Sequence, residues 1–428
     1  MNTPPPEGVG LNRRQVLTAA ALATPAIVLT TAVPAHATSA DSTLLFTQTA
    51  TGISPGLPIT ATATVLDSRG DPWPGQTVTF TSDVPGALSF SPSTGVTDSA
   101  GQITTTITAS GTLAATATTT ATSGPLTATR TLDIMAVTAT VAVGVGPRWI
   151  EISPDGTFAY VSCNAAGSVA RFSTITNTVT TTITTAPNPD GIAFAPDGSY
   201  AYVTHDYSGG VKRINTSTNA VVATVPTSGS RNVAISPSGT YAFVGNDSGL
   251  QRINTATNTV TATVPSTAGS AILGIKFSPD DTAVWASRWS GGNVVRVSTS
   301  TNAVTDSIGV PANPHQLAMS PDGSSLYPAS YSDANQGRVN TATRTSTNWV
   351  ALPGGGSQGV AISPDGAYVY MSVYNTNRIL RVSTATGAVT AAIQLSDTPA
   401  ALAMSPDGKF LLVCRISTNT VSRIQLKP

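Results

Sequence analysis

The tetrapeptide Ser-Pro-Asp-Gly, first met at residues 153–156, returns whole or lightly altered six more times. Its prolines are Pro154, Pro196, Pro237, Pro279, Pro321, Pro364 and Pro406, so successive copies stand 42, 41, 42, 42, 43 and 42 residues apart. A fixed period near forty residues, filled with short alternating strands, is what a propeller blade requires. The second copy shows the grammar. Strands are expected at 190–195, 200–205, 211–216 and 220–225, with Pro-Asp-Gly after the first and Thr218-Asn219 turning the third into the fourth.

The last copy stops after its third strand. An orphan strand at 137–143, Val-Thr-Ala-Thr-Val-Ala-Val, matches the fourth strand Val260-Thr261-Ala262-Thr263-Val264 of another copy. The orphan is therefore expected to complete the seventh blade, which removes two exposed sheet edges. Tyr202-Val203-Thr204 and Ile214-Asn215-Thr216-Ser217-Thr218-Asn219 resemble the YVTN-type β-propeller repeat family, and the resemblance spans 136–428. It implies an all-β, seven-bladed propeller closed by the strand 137–143.

Residues 41–135 have another rhythm. Residues 58–66 alternate with Ile59, Ala61, Ala63 and Val65 on one face, and further strands read at 76–82 and 103–109 between turn clusters. Strands every eight to twelve residues suggest a two-sheet sandwich. Val65-Leu66-Asp67-Ser68-Arg69-Gly70, Gly75-Gln76-Thr77-Val78-Thr79-Phe80 and Thr97-Asp98-Ser99-Ala100-Gly101 resemble the bacterial Ig-like domains of invasin-type surface proteins. The resemblance implies a stalk or spacer. Asp67, Asp71 and Asp98 lie in turns, where Asp serves the backbone, and no calcium site is expected.

Residues 1–37 read as an export signal. Arg13-Arg14 precede a mildly apolar run, and Ala35-His36-Ala37 offers small residues at a cleavage spacing. The pattern resembles a twin-arginine signal; an uncleaved anchor is the alternative. Removing 1–37 takes Arg13, Arg14 and Glu7 and leaves a net charge of −1. No later stretch has the length to cross a bilayer as a helix, so the product is expected outside the cytoplasm, secreted or on the cell surface, as a monomer. Only 10% of residues are charged and the formal net charge is zero, which supplies no electrostatic grip on nucleic acid. Two cysteines, Cys163 and Cys414, make no disulfide framework; as members of the first and last blades they are either packed thiols or a bridge across the seam. No metal site and no cofactor are expected.

Aligned blades separate scaffold from site. An arginine recurs in every third strand: Arg171, Arg213, Arg252, Arg296, Arg338, Arg381 and Arg423. Seven copies around a ring cannot serve one site, so a structural ladder is expected, bonding carboxylates or carbonyls near the Asp155 turn and its equivalents. The varied positions cluster where fourth-to-first and second-to-third connections converge, at the channel mouth. One column holds Arg148, Asp190, Arg231, Leu273, His315, Gln358 and Ala400. A second holds Cys163, His205, Asn246, Arg288, Ser330, Val373 and Arg415. The next position adds Asn164, Asp206, Asp247, Trp289, Tyr331, Tyr374 and Ile416. From these, with Trp149 beside Arg148, the candidate ligand-binding set is Arg148, Trp149, Asp190, His205, Asp206, Arg231, Arg288, Trp289, His315, Tyr331, Gln358, Tyr374 and Arg415. Glu151 and Lys276 interrupt a column of alanines within the first strand and are expected to point at channel water. No catalytic motif is matched residue by residue. The sequence supports an exported binding or scaffold protein that takes a cell-wall glycan, a surface protein or a small anionic molecule at the mouth. A secreted lactonase-like or polysaccharide-acting hydrolase or lyase working at the same mouth is the alternative.

Overall fold

The computed structural model describes residues 42–426, apart from 111–113, 208, 228 and 266–269. The signal expected at 1–37 lies outside the described residues. The described residues form strands and turns with one short 3-10 turn at Tyr374–Thr376. No helix among them is long and apolar enough to cross a membrane.

Two sheets make the N-terminal sandwich. One runs Thr43–Gln48, Ile59–Leu66, Gln102–Ala109, Leu88–Ser91; the other runs Gly52–Ile53, Leu126–Ile134, Ala115–Ser123, Thr77–Ser82, Thr94–Val96. The alternation of Ile59–Leu66 turns Ala61, Ala63 and Val65 inward, where they meet Phe46, Phe80, Ile107 and Leu132. The Asp67 carboxylate accepts the backbone N–H groups of Arg69 and Asp71, and Asp98 accepts those of Ala100 and Gln102. Both are turn residues, as their neighbours in sequence require.

Seven four-stranded antiparallel sheets follow, one per repeat, and the first strand of each lies at the axis against the first strands of its neighbours. The seventh is completed by Ala136–Ala142, which pairs antiparallel with Thr420–Gln425 from Ala136↔Gln425 to Ala142↔Thr420. The Ser-Pro-Asp-Gly turns are Asx turns. Asp155 Oδ1 accepts Ser153 Oγ (2.6 Å) and the Thr157 N–H (3.0 Å), while Gly156 takes the positive φ (+73°) that the turn demands. The Thr-Asn turns place Asn177, Asn219, Asn258, Asn302 and Asn419 in the left-handed region, which Asn tolerates better than other side chains.

The arginine ladder joins blades. Arg213 Nη1 donates to the Thr255 carbonyl (3.1 Å) and Arg252 Nη1 to the Thr299 carbonyl (2.9 Å) and Asn302 (3.1 Å). Arg338 reaches the Thr384 carbonyl (3.4 Å), and Arg423 closes the ring on the Thr174 carbonyl and Asn177 of blade 1. Each of these arginines thus reaches the third-to-fourth turn of the next blade, and that turn's Thr hydroxyl is fixed to a backbone carbonyl of the preceding Ser-Pro-Asp-Gly-type turn: Thr174 to Gly156, Thr255 to Gly239, Thr384 to Gly366 and Thr299 to Asp281. The carbonyl half of the expectation stands, since these bonds to the next blade go to backbone carbonyls and Asn side chains. The same guanidiniums lie over aromatic rings of their own blades, Arg213 over Tyr200 at 3.8 Å and Arg423 over Phe410 at 3.8 Å. Arg171 keeps its ring contact with Phe158, but its buried Nε has no partner; there Tyr160 Oη makes the inter-blade bond, to Asn219. Arg296 turns back to Thr305 of its own blade.

Arg381 is the informative exception. Blade 7 has no covalent third-to-fourth turn, because its fourth strand comes from the other end of the chain, so Arg381 has no such turn to reach. The sandwich occupies the place. Arg381 Nη1 pairs with Asp133 (2.8 Å), Nη2 donates to Thr51 (3.1 Å) and Nε to Thr390 (3.0 Å). The Thr51 N–H donates to the Thr390 carbonyl (3.2 Å) and Ser54 Oγ to the Ala392 carbonyl (2.7 Å) along the outer strand of blade 6. Gly52 permits the approach, since a Cβ there would stand 2.7 Å from Arg381 Nη2 and 2.8 Å from Ala391 Cβ. Met135 is fully buried among Ile379, Ala391, Ile393 and Ile424. The sandwich is therefore docked on the disc.

Candidate functional site at the channel mouth

Six of the seven first strands lose regular pairing at their mouth end, between Pro147 and Trp149, Pro189 and Ile192, Ile272 and Gly274, Pro314 and Leu317, Ser357 and Val360, and Pro399 and Leu402. In blade 3 the strand begins one residue after Arg231. The first variable column coincides with these breaks, and local irregularity of this kind re-aims a side chain out of the pleat.

The result is a cavity of about 360 Å³ lined by Arg148, Arg231, Ala271, Leu273, Trp289, His315, Tyr331 and Gln358. One wall is aromatic. Trp289 meets His315 edge-on (5.8 Å between centroids, 81°) and lies 5.3 Å from Tyr331, which stacks on Tyr374 at 4.5 Å and 11°. Tyr374 also donates to the Tyr331 carbonyl (3.2 Å), and Gly356 must lack a Cβ because one would stand 1.9 Å from that oxygen.

The other wall is charged and braced from below. Arg148 lies 3.4 Å from Asp190 and 3.9 Å from Asp206; Arg231 lies 3.6 Å from Asp206 and 2.8 Å from Asp247. Three carboxyl groups thus serve two guanidiniums. Burial pushes Asp190 up to about 7 against the pull of Arg148, and the adjacent Asp206 adds to the rise. Asp206 is itself raised by burial, opposed by Arg231 and Arg148. His315 is lowered to about 4, first by burial and then by the Arg148 charge, so its ring is neutral at physiological pH.

The structure brings Arg148, Arg231, Trp289, His315, Tyr331 and Gln358 to one cavity, with Asp190, Asp206 and Tyr374 supporting them. It does not bring the rest. His205 is fully buried; its Nε2 accepts the Ala186 N–H (3.2 Å), its Nδ1 faces the Gly210 carbonyl (3.1 Å), and burial lowers it to about 4. Those bonds make Nδ1 the protonated nitrogen and leave nothing to offer a ligand. Arg415 is buried and consumed by Asp397, Ser396 and Ser422. Arg288 is buried and lines a slot between blades 3 and 4, not the mouth cavity. Trp149 is half-buried against the cluster of Phe158, Tyr160 and Val169. Glu151 is raised by burial and lowered in part by the charge of Lys276, with no ion pair within 4 Å. Cys163 and Cys414 are buried free thiols, both raised by burial. Among the described residues no group of three or more His, Cys, Asp or Glu is placed to hold a metal ion. Ala271 was missed altogether, having no chemistry to betray it; Leu273, which lines the cavity, and Asp247, which pairs with Arg231, stand in the aligned columns but not in the candidate set.

Comparison with known proteins agrees with this architecture. Residues 42–142 match the model of the bacterial Ig-like domain (group 1), and residues 125–249 match that of the lactonase family of 7-bladed β-propellers. No curated protein matches. Among solved structures, the hydrazine synthase of Kuenenia stuttgartiensis is similar at 20% identity and a TM-score of 0.60, over 66% of this chain and 97% of that one. The β-propeller domain of Cps50 (Swd1) from Myceliophteria thermophila is similar at 13% identity and a TM-score of 0.59, over 68% of this chain and 100% of that one. The structural likenesses concern the fold.

Proposed function

We propose that this chain is an exported binding protein whose propeller mouth takes a ring-bearing acid of the sugar-acid class, as found in cell-wall and extracellular glycans. The observation that supports this most is the division of one cavity into an aromatic wall, Trp289 and Tyr331, and an arginine wall, Arg148 and Arg231. A sugar ring lays its apolar face on an aromatic side chain, and a carboxylate takes guanidinium N–H groups. Gln358 supplies a donor and an acceptor for hydroxyls. Export rests on the Arg13-Arg14 pattern, and the docked sandwich holds the mouth at a fixed attitude to whatever anchors the other end.

Calorimetric titration with a panel of uronic acids, muramic-type sugar acids and their neutral parent sugars tests the reading. The acids bind and the neutral sugars bind more weakly. Trp289→Ala and Tyr331→Ala each weaken binding about tenfold, the equivalent of about 1.4 kcal/mol of lost stacking. Arg231→Gln removes the preference for the acid. Unaltered affinity in both the tryptophan and the arginine variants would overturn the assignment. A hydrolytic reading draws on the lactonase match at 125–249, with Asp190 near neutrality beneath Arg148 as its base. Turnover of lactones that Asp190→Asn abolishes would favour it over binding alone.

A further inference from the structure

We infer that the slot between blades 3 and 4 is a binding site for a small monovalent anion, held by the guanidinium of Arg288. Arg288 ends the second strand of blade 4 and is only 6% exposed. Its Nε and Nη2 have no hydrogen-bond partner, and Oδ1 of Asn293, its partner across the strand pair, has none either. The Asn293 amide is held by a bond to Ser307 (2.9 Å), so that side chain is not free to turn. A buried cation without a counter-charge is strongly unfavourable, and no ion pair among the described residues includes Arg288.

The same column of blade 7 supplies an internal comparison. Arg415, equally buried, is neutralised by Asp397, three residues before the first-column residue Ala400. Three residues before Leu273, the corresponding position of blade 4 is Ser270, and the connection 265–271 reads Pro-Ser-Thr-Ala-Gly-Ser-Ala, without an acid. Blade 4 therefore keeps the buried guanidinium and omits the carboxylate. Beside Arg288 lies a cavity of about 40 Å³, walled by Leu250, Val264, Ile272, Val295 and Val297. That is room for one or two water-sized bodies. A halide, or the carboxylate head of a short acid, has the required charge and size; water has the size without the charge.

The test uses the full chain at constant ionic strength, with sodium gluconate exchanged for chloride, bromide or formate. The melting temperature rises and saturates as the small anion is added, because a ligand that binds only the folded state stabilises it by mass action. Arg288→Met abolishes the rise. Ser270→Asp, which supplies blade 4 with the acid that blade 7 has, melts higher than the parent in gluconate and no longer responds to added anion. Should Arg288→Met fail to fold, the Ser270→Asp comparison carries the decision alone. A larger rise with halide, or a larger rise with formate, supports the site and says which anion fills it. Bromide-soaked crystals show an anomalous peak beside Arg288. Equal melting in all four salts, or an unchanged response in Ser270→Asp, overturns the proposal.

Discussion

Replacing Arg381 with Met is the sharpest probe of how the two domains are joined. The residue is 2% exposed, and its guanidinium makes an ion pair with Asp133 and single bonds to Thr51 and Thr390. Removing one partner of a fully buried pair costs about 3–5 kcal/mol. Asp133 is a quarter exposed, so water recovers part of that charge, and the pair's share falls to about 2 kcal/mol. The two hydroxyl bonds add roughly 1 kcal/mol together, for a total of about 3 kcal/mol. The loss is local to the junction, because Arg381 serves the sandwich and not a neighbouring blade. Scanning calorimetry should therefore turn one transition into two, with the sandwich melting first. Arg213→Met is the control: it removes a blade-to-blade bond, costs about 1–2 kcal/mol, and lowers the transition without dividing it. If Arg381→Met melts as a single transition near the parent temperature, or if Arg213→Met divides the transition equally well, the special role given to Arg381 is wrong.

Two further outcomes follow from the seam and the mouth. Deleting 136–143 removes the partner of Thr420–Gln425 and exposes that strand as a free edge, so the truncated chain should melt lower and associate in light scattering; an unchanged melt with no association would refute closure by this strand. Asp190, raised to about 7, holds a proton in the folded state that the unfolded chain releases near its ordinary value, so its contribution to stability falls as pH rises from about 4 to about 7. His205 and His315, lowered to about 4, act in the opposite sense: stability present above about 6.5 is lost as pH falls toward 4. Asp190→Asn should gain on the parent from pH 5 to pH 8 in urea melts, whereas His205→Gln should fall furthest behind it at pH 8 and leave ligand affinity untouched; gaps that do not change with pH would show that neither group titrates as assigned.

The blades were legible in the sequence because everything that sets them is local. Asp155 needs only Ser153 and Thr157, and Asn219 needs only its own turn to enter the left-handed region. The partners of the ladder were not legible, because Arg213 reaches Thr255 and Arg423 reaches Thr174 only once the ring has set one blade beside the next. The mouth was half legible. Aligning the repeats groups Arg148, Arg231, Trp289, His315, Tyr331 and Gln358, which line one cavity, but it places the column holding His205, Arg288 and Arg415 at the rim as well. All seven members of that column, from Cys163 to Arg415, are buried, while Trp289 and Tyr331, one residue later, line the cavity. Successive side chains on a strand point to opposite faces, so the two columns could not both face the cavity. Polarity misled where alternation would have decided.

The seam also accounts for where the sandwich sits. A ring sealed by strands from both chain ends gains a fourth strand for blade 7 but forfeits the turn that every other blade offers to the arginine of the blade before it. Arg381 would then be a buried cation facing nothing, the situation that Asp397 prevents for Arg415. The segment entering Ala136–Ala142 is the last strand of the sandwich, Leu126–Ile134, and its penultimate residue is Asp133. The chain that must pass the gap to close the ring thus carries the carboxylate that fills it. Docking of the sandwich is then a consequence of closure from the N-terminal side, with Gly52 and Ser54 extending the contact along blade 6. Because one strand leads directly into the next through Met135, itself buried, the sandwich has no free linker on which to swing, and the mouth keeps one orientation relative to it.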